Sequence, residues 1–363
     1  MRIQGRVTLG NEYPNPVIGF NIRLDYYKEI GAPKINSYDD AANALIAIHD
    51  KHPETDGGLP TYAFSLWQDW GLWHYTVLGE MMRSIGGVAA DVVYCDYTDY
   101  TFVDGLADAR SPVWTDSRLY NILYRAGLID PNSFTQDNAQ ATTAMNNGQV
   151  LCQAASWLCD APNADLAQKY PDNPDAGFVS IVLENSRYYA ANDNPTGLAC
   201  YYCISSKCSA PARAMDLINY MFSEEGSRTL LTGVKGDIWD YDASGKAVLT
   251  EKGYTIKSQP NFMDTTGIRK FQNIPGFDTD CQDSKGQYFD LFYEPDNMVK
   301  TLTALQKNWL NLYGVSAPDE LWRKNNYLSR NSQFPAALAL VTPPDEIKLL
   351  SSKITDYWTT AFP

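Results

Sequence analysis

The sequence is poor in histidine and lacks the common catalytic motifs. Its 363 residues include three histidines, His49, His52 and His74. It contains no GxGxxG dinucleotide motif, no Walker phosphate loop, no GxSxG nucleophile elbow and no HExxH zinc motif. These absences argue against the common classes of nucleotide-dependent enzyme, serine hydrolase and zinc protease. We therefore expect a protein that does no chemistry and needs no cofactor.

Long apolar runs and basic charge are also scarce. A helix that crosses a membrane needs about 20 apolar residues, and no such run occurs. Residues 1–6 carry charge without an apolar stretch behind them, so no signal peptide is predicted. The sequence has 29 basic and 43 acidic residues, and the resulting net charge of −14 repels phosphate backbones. Nucleic acid is therefore excluded as a partner.

Two short patterns have the spacing of metal or redox sites but lack suitable surroundings. Cys200 and Cys203 form a CxxC pair within a predicted strand, and Cys208 alone cannot complete a zinc site. The stretch from Asp240 to Glu251 has the spacing of an EF-hand calcium loop, yet its flanks alternate like strands. These flanks favour a hairpin turn over a calcium loop, and no metal site is predicted.

Aromatic residues, in contrast, are abundant: 24 Tyr, 13 Phe and 9 Trp. Residues 67–75 read WQDWGLWHY, with three tryptophans among Gln, Asp and His. Stacking faces beside hydrogen-bonding groups suit a sugar ring, which has an apolar face and a polar rim. The alternative is that Trp70 and Trp73, one helical turn apart, pack against the core.

Further aromatic residues lie outside this segment. Trp157 follows a predicted apolar strand, at the end where α/β folds bind their ligands, and Trp239 lies on a turn-rich stretch. The ligand-binding residues predicted from these patterns are Trp67, Asp69, Trp70, Trp73, His74, Trp157 and Trp239.

Short strands alternate with amphipathic helices along the chain, which predicts an α/β fold. Helices are predicted from Ser37 to His49, Thr115 to Gly127, Thr135 to Asn147, Ser209 to Gly226, Asp296 to Tyr313 and Pro344 to Thr359. Strands are predicted over 149–155, 177–183 and 198–204. The helix after Ser209 is expected to turn Ala214, Leu217, Ile218 and Met221 inward. Residues 233–286 are expected to be rich in turns.

Six segments, in order along the chain, match one known pattern. They are IRLDYYKEIG at 22–31, LYRAGLIDP at 123–131, NGQ at 147–149 with Trp157, ISSKC at 204–208, SEEG at 223–226 and GVKGDIWDYD at 233–242. Together they resemble the solute-binding proteins of carbohydrate ABC importers, the group of maltose-binding protein and the LplA-like lipoproteins. The resemblance extends over about two-thirds of the chain, whereas a match to any single short motif is common by chance.

The resemblance implies a two-lobed, type II periplasmic-binding-protein-like α/β fold that closes on its ligand by a hinge motion. Residues 15–190 would form the second lobe. Residues 1–14 and 191–295 would form hinge crossings and part of an incomplete first lobe, and 296–363 would form packing helices. Tyr201 and Tyr202 would lie near the return crossing.

The same resemblance implies a function. The chain would bind an oligosaccharide outside the cell, as a monomer, and deliver it to the permease subunits of an importer. In its full-length form it would be a lipoprotein anchored to the membrane. Two alternatives stay open: a glycoside hydrolase, for which Asp69 and Glu80 are conceivable carboxylates, and a peptide- or anion-binding protein of the same fold.

Overall fold

The computed structural model describes residues 2–3, 18–71, 73–82, 85–89, 93–96, 99, 101–183, 202–270, 276–277, 279, 281–324 and 344–361. The chain divides into two compact units. The first unit comprises Met1–Tyr13, Ala191–Lys307 and Arg330–Val341, and the second comprises Pro14–Ala190, Asn308–Ser329 and Thr342–Pro363. The assignment of these stretches to lobes of a binding protein stays a prediction.

Strands and helices alternate along much of the chain, as predicted. The strands are β1 (Arg2–Ile3), β2 (Ile18–Arg23), β3 (Ile85–Ala89), β4 (Val93–Asp96), β5 (Thr101–Asp104), β6 (Cys152–Ala155), β7 (Phe178–Ile181), β8 (Tyr202–Cys203), β9 (Trp239–Tyr241) and β10 (Ala247–Leu249). The α-helices are α1 (Leu24–Glu29), α2 (Tyr38–Lys51), α3 (Trp73–Met82), α4 (Pro112–Arg125), α5 (Asn138–Asn146), α6 (Asp160–Lys169), α7 (Pro211–Met221), α8 (Glu224–Thr232), α9 (Glu251–Lys257), α10 (Phe262–Thr266), α11 (Pro295–Lys300), α12 (Ala304–Leu312), α13 (Pro318–Lys324) and α14 (Asp345–Ala361). Short 3-10 helices cover Pro131–Phe134, Ser156–Cys159 and Leu291–Tyr293.

The second unit is built on a sheet in which β2 lies between β6 and β7 and runs antiparallel to both. Because both faces of β2 are covered, its residues 18–22 are all buried. The one polar residue among them, Asn21, donates from Nδ2 to the Gln153 carbonyl at 2.8 Å, which satisfies a buried amide.

Parallel bridges extend this sheet on the β6 side. Tyr62 pairs with Val150, just before β6, and Phe64 pairs with Ile129. Residues 62–64 therefore lie between 150–152 and 128–130, and all three segments run in the same direction. A second, smaller sheet of the same unit has the order β3-β4-β5.

Capping decides where the helices of this unit begin. The Ser37 hydroxyl accepts from the Asp40 amide at 3.1 Å, and Ala41, Leu45 and Ile48 are fully buried, which confirms the predicted start and face of α2. Helix α4 begins three residues before the predicted Thr115, because Ser111 caps it ahead of a proline.

Two other helix predictions need correction for the same reason. Helix α5 begins after Asp137 rather than at Thr135, since Asp137 and Gln140 form a reciprocal capping box. The predicted helix from Asp296 to Tyr313 is divided into α11 and α12, because Thr303 exchanges hydrogen bonds with Gln306 and so starts a new helix.

The C-terminal part of the second unit packs onto its sheet. The Trp309 indole donates to the Ser180 carbonyl at 2.9 Å, and the Tyr313 hydroxyl accepts from the Val182 amide at 3.1 Å. Trp309 also lies 5.9 Å from Trp322, centroid to centroid. These contacts cover the β7 side of the sheet.

The first unit has its own apolar core around the β9–β10 hairpin. The two strands pair in the register Trp239 with Leu249, which confirms the predicted hairpin. In the turn, Asp242 Oδ1 accepts from the Ser244 hydroxyl and from backbone amides, and these bonds lower the pKa of Asp242. The hairpin packs in a core cluster of Ile238, Trp239, Ala247, Leu249, Phe262, Ile268, Leu291 and Phe292. Helices α9 and α10, which the turn-rich composition did not predict, belong to the same stretch.

The predicted helix from Ser209 to Gly226 is two helices. Helix α7 ends at Met221, and α8 begins after Ser223, whose hydroxyl accepts from the Gly226 amide at 3.0 Å. Gly226 therefore lies in the first turn of a new helix rather than at the end of the old one. Ile218 and Met221 are buried as predicted, but Leu217 is 59% exposed.

We expect Gly226→Ala to destabilise the protein, although alanine is the better helix former by about 1 kcal/mol. A Cβ at this position would overlap the Tyr220 carbonyl group, which closes the turn between α7 and α8. Overpacking of this kind costs about 1–3 kcal/mol in free energy of unfolding. Urea denaturation measures it, with Gly57→Ala as the matched control, because a Cβ there has its nearest neighbour, the Thr55 hydroxyl oxygen, at 3.7 Å. Equal stabilities for the two variants would contradict the expected close approach.

Within the described residues, no helix combines the length and the apolar character needed to cross a membrane.

Candidate ligand-binding site

Three parallel segments of the second unit end at the same edge of its sheet. They are residues 62–64, residues 128–130 and the stretch from Val150 into β6. The chain then continues into the loop at 65–71, the 3-10 helix Pro131–Phe134 and the 3-10 helix Ser156–Cys159, respectively. Since the carboxyl ends of parallel strands are where α/β folds bind ligands, this edge is the candidate site.

The two tryptophans of the first loop have different roles. Trp67 is 2% exposed, whereas Trp70 is 40% exposed. Their rings meet edge to face, with centroids 5.3 Å apart and an interplanar angle of 88°. The buried Trp67 ring therefore supports the Trp70 ring, and only Trp70 offers a face to solvent. This differs from the prediction that both tryptophans contact ligand.

Asp69 lies between these tryptophans and is exposed. Its Oδ1 accepts from the Asn138 amide at 2.8 Å, at the first residue of α5. A carboxylate at a helix N-terminus is stabilised by the unpaired amides and the helix dipole, so this bond orients the Asp69 side chain. Oδ2 accepts no hydrogen bond from the described part of the chain.

A buried polar network holds the loop against the neighbouring segments. The Ser65 hydroxyl donates to Asp130 Oδ2 at 2.7 Å, and the Gln136 amide donates to the Ser65 hydroxyl at 2.7 Å and to the Leu66 carbonyl at 2.6 Å. The Ser133 hydroxyl accepts from the Leu66 amide at 3.0 Å. These groups are almost fully buried, so each hydrogen bond satisfies a group that would otherwise be costly to bury.

Gln68 adds a second connection. Its side-chain amide donates to the Ser133 carbonyl at 3.0 Å and to the Tyr75 hydroxyl at 2.6 Å. Its backbone amide donates to the Gln136 carbonyl at 3.0 Å. Through its side chain and its backbone, Gln68 thus holds the loop that carries Asp69 and Trp70 against residues 133 and 136.

We expect Gln136→Met to lower the free energy of unfolding by about 1–3 kcal/mol. Methionine preserves the volume but leaves the Leu66 carbonyl without its buried donor. Chemical denaturation measures the loss, and Gln168→Met serves as the control, since Gln168 is an exposed residue of α6. A loss for Gln136→Met no larger than for the control would show that the network contributes nothing.

Trp157 lies directly after β6, in the 3-10 helix that starts at Ser156. It is 39% exposed, close to the value for Trp70. The position after a strand agrees with the sequence expectation. Trp70, Asp69 and Trp157 are therefore the predicted residues that the topology brings to this edge with an exposed side chain.

The remaining predicted residues fall elsewhere. Trp73 and His74 begin α3, directly after the loop, but their side chains and all of Tyr201 lie outside the described residues. Tyr202 and Trp239 belong to the first unit. Trp239 is 2% exposed and donates its indole hydrogen to the Gly233 carbonyl at 2.8 Å, so it is a core residue there rather than an exposed platform. Tyr202 is half-buried, and its ring contacts Phe222 edge to face at 5.6 Å.

Sequence patterns missed two exposed aromatic residues beside the candidate site. Phe134, at the end of the 3-10 helix after Asp130, is 50% exposed, and Tyr124, near the end of α4, is 61% exposed. Their rings meet edge to face with centroids 6.2 Å apart. Tyr124 lies within an amphipathic helix, where the sequence gives no sign of a role in binding. Phe134 follows the turn-forming residues Pro-Asn-Ser, which mark the end of a strand, and this signal could have identified Phe134.

His52, directly after α2, takes part in packing. His52 stacks on Tyr26 with centroids 3.6 Å apart and pairs with Glu29 at 2.8 Å. Across the described ranges, no group of three His, Cys, Asp or Glu side chains is arranged to hold a metal ion.

Comparisons with known proteins give similarity in structure but not in sequence. No protein-family model matches the chain. A search of curated proteins found no relative. Among solved structures, the chain is similar to the alginate-binding protein AlgQ2, with a TM-score of 0.54, 13% identity, and coverage of 100% of this chain and 68% of that one.

Two further solved structures match less well. A FusA substrate-binding protein from Streptococcus pneumoniae, in complex with fructo-nystose, gives a TM-score of 0.49 at 13% identity over 99% of this chain and 75% of its own. A solute-binding protein for HMO from Bifidobacterium longum infantis gives 0.41 at 15% identity over 97% and 75%. The assignment of the fold rests on the AlgQ2 match. This chain shares the fold of AlgQ2, an α/β, periplasmic-binding-protein-like fold.

Proposed function

We propose that this protein binds an oligosaccharide outside the cell and delivers it to an ABC importer, without catalysis. The observation that carries the proposal is the convergence of Trp70, Asp69 and Trp157, all with exposed side chains, on the carboxyl ends of neighbouring parallel segments. Aromatic faces bind the apolar side of a sugar ring, and the carboxylate accepts from its hydroxyl groups. The fold, shared with an alginate-binding protein, supports the same reading.

A neutral sugar suits this edge better than an acidic one. Asp69 presents an exposed carboxylate oxygen beside the Trp70 ring. A uronate carboxylate near it would be repelled, and the whole chain, at −14, adds to that repulsion. A neutral sugar hydroxyl would instead donate to Oδ2. The anion-binding alternative therefore predicts the opposite preference.

The finer parts of the proposal follow from this role. The protein would act as a monomer, with permease subunits as its protein partners. Its full-length form would be held at the outer face of the membrane as a lipoprotein. Residues 15–190 would form the lobe that carries the aromatic site. Tyr201, Tyr202, Trp73 and His74 remain proposed contacts.

The experiment that tests the function is a titration of intrinsic tryptophan fluorescence, checked by calorimetry. The probes are maltooligosaccharides, chitooligosaccharides and alginate oligosaccharides, each followed by chromatography of the mixture after a long incubation. We expect saturable binding of a neutral series with no product of hydrolysis. Binding of alginate alone would favour the anion-binding alternative, and shortened products would identify a glycoside hydrolase. Absence of binding to every series would overturn the proposal.

A further inference from the structure

Beside the candidate site lies a second pair of exposed aromatic rings that the proposed function does not use. Phe134 and Tyr124 are 50% and 61% exposed and meet edge to face. Both side chains are far more exposed than that of Trp67, which is 2% exposed. The Tyr124 hydroxyl bonds no other residue of the described chain.

This pair is continuous with the loop that carries Trp70. Ser133 directly precedes Phe134, and its carbonyl accepts from the Gln68 side chain at 3.0 Å. The Ser133 hydroxyl accepts from the Leu66 amide at 3.0 Å. Phe134 therefore directly follows a residue that accepts hydrogen bonds from Leu66 and Gln68. These two residues precede Asp69 and Trp70 in the loop.

The chemistry of the pair matches that of the first site. An edge-to-face pair leaves a face of each ring free, and a pyranose ring can stack on such a face. The unpaired Tyr124 hydroxyl can donate to or accept from a sugar hydroxyl.

We propose that Phe134 and Tyr124 form an outer subsite for the same oligosaccharide, engaged only by chains longer than those that the Trp70 and Trp157 site accommodates. The proposal rests on the proposed function. Short oligosaccharides would contact the inner residues alone, and each added sugar unit that reaches Phe134 would strengthen binding. The protein would thus prefer longer oligosaccharides.

The test measures dissociation constants by calorimetry for malto- and chitooligosaccharides of two, three and six units. For the wild type, we expect affinity to rise with length. For Phe134→Ala, affinity for the hexasaccharide should fall about fivefold to tenfold, the effect of losing one aromatic stacking contact. Affinity for the disaccharide should be unchanged. Phe134→Tyr should restore the length dependence, and Tyr124→Phe should weaken hexasaccharide binding alone.

Phe102→Ala is the matched control, since Phe102 is 70% exposed in β5 of the same unit and lies on none of the three segments of the site. Far-UV circular dichroism establishes that each variant is folded. Equal hexasaccharide affinities for wild type and Phe134→Ala, or a wild-type affinity that is independent of length, would overturn the subsite and leave the proposed function standing. If the wild type bound none of these oligosaccharides, both the outer subsite and the proposed function would be overturned.

Discussion

Asp283→Asn is expected to lower the free energy of unfolding by about 3–5 kcal/mol, the typical result of breaking a buried ion pair on one side. Arg228 and Asp283 have side chains only 2% and 4% exposed and lie 2.6 Å apart. Asparagine keeps the shape but leaves the Arg228 cation without its counter-charge. The guanidinium also lies over the rings of Trp239 and Phe289, which cannot replace a carboxylate.

A surface pair supplies the matched control for this experiment. Asp237 and Lys252 also lie 2.6 Å apart, but their side chains are more than half exposed. Asp237→Asn should therefore cost no more than about 1 kcal/mol. The double variant Arg228→Met with Asp283→Asn should recover much of the loss, because no uncompensated charge is left buried. Equal losses for the buried and the exposed pair in urea denaturation would contradict the expectation.

The same pair predicts a dependence of stability on pH. Burial alone raises the pKa of Asp283, but the hydrogen bonds from Arg228 and the amides of Gln287 and Lys285 outweigh it and hold the pKa below its ordinary value. A lowered folded-state pKa contributes stability that is present above the unfolded value of about 3.9 and is lost as pH falls through the folded value. Asp283→Asn should remove this acid-dependent loss from the wild-type profile.

Trp70→Ala is expected to weaken oligosaccharide binding by about 2–3 kcal/mol, roughly 30- to 150-fold, as removal of a central aromatic contact does. Trp70 is the exposed ring of its loop, supported from behind by the buried Trp67. Removal of the ring takes away the stacking face and leaves the buried network below it unchanged. Calorimetry with the neutral series that binds the wild type measures the effect, so that the lost fluorophore does not affect the result.

Trp114→Ala is the matched control for this second experiment. Trp114 is 48% exposed, similar to Trp70, but it lies in the first turn of α4 and donates its indole hydrogen to the Leu106 carbonyl at 2.9 Å. It belongs to none of the three segments that end at the site. We expect its removal to leave the dissociation constant unchanged. A similar loss for both variants, or no loss for Trp70→Ala, would show that the aromatic platform lies elsewhere.

Much of the fold could be predicted from local patterns. Ser37 starts α2 and Ala41, Leu45 and Ile48 form its buried face, because capping and periodicity act within one helix. The β9–β10 hairpin likewise followed from the alternation on both sides of its turn. Where local signals competed, the prediction was wrong: Ser223 and Thr303 start new helices inside stretches whose periodicity suggested one.

The candidate site shows what local patterns cannot supply. Residue types alone marked Trp67 and Trp70 equally, since both lie in one aromatic stretch. Only the tertiary structure buries the first and exposes the second. The sequence carries no signal for Tyr124, and for Phe134 only the turn that precedes it. The hydrogen bonds that Ser133 accepts from Gln68 and Leu66 place Phe134 next to the loop. Composition and spacing thus determined the α/β class, the aromatic character and the stretch that carries the site. Pairings between residues 65 to 90 positions apart decided which of those rings face solvent, because burial depends on neighbours that are distant in the chain.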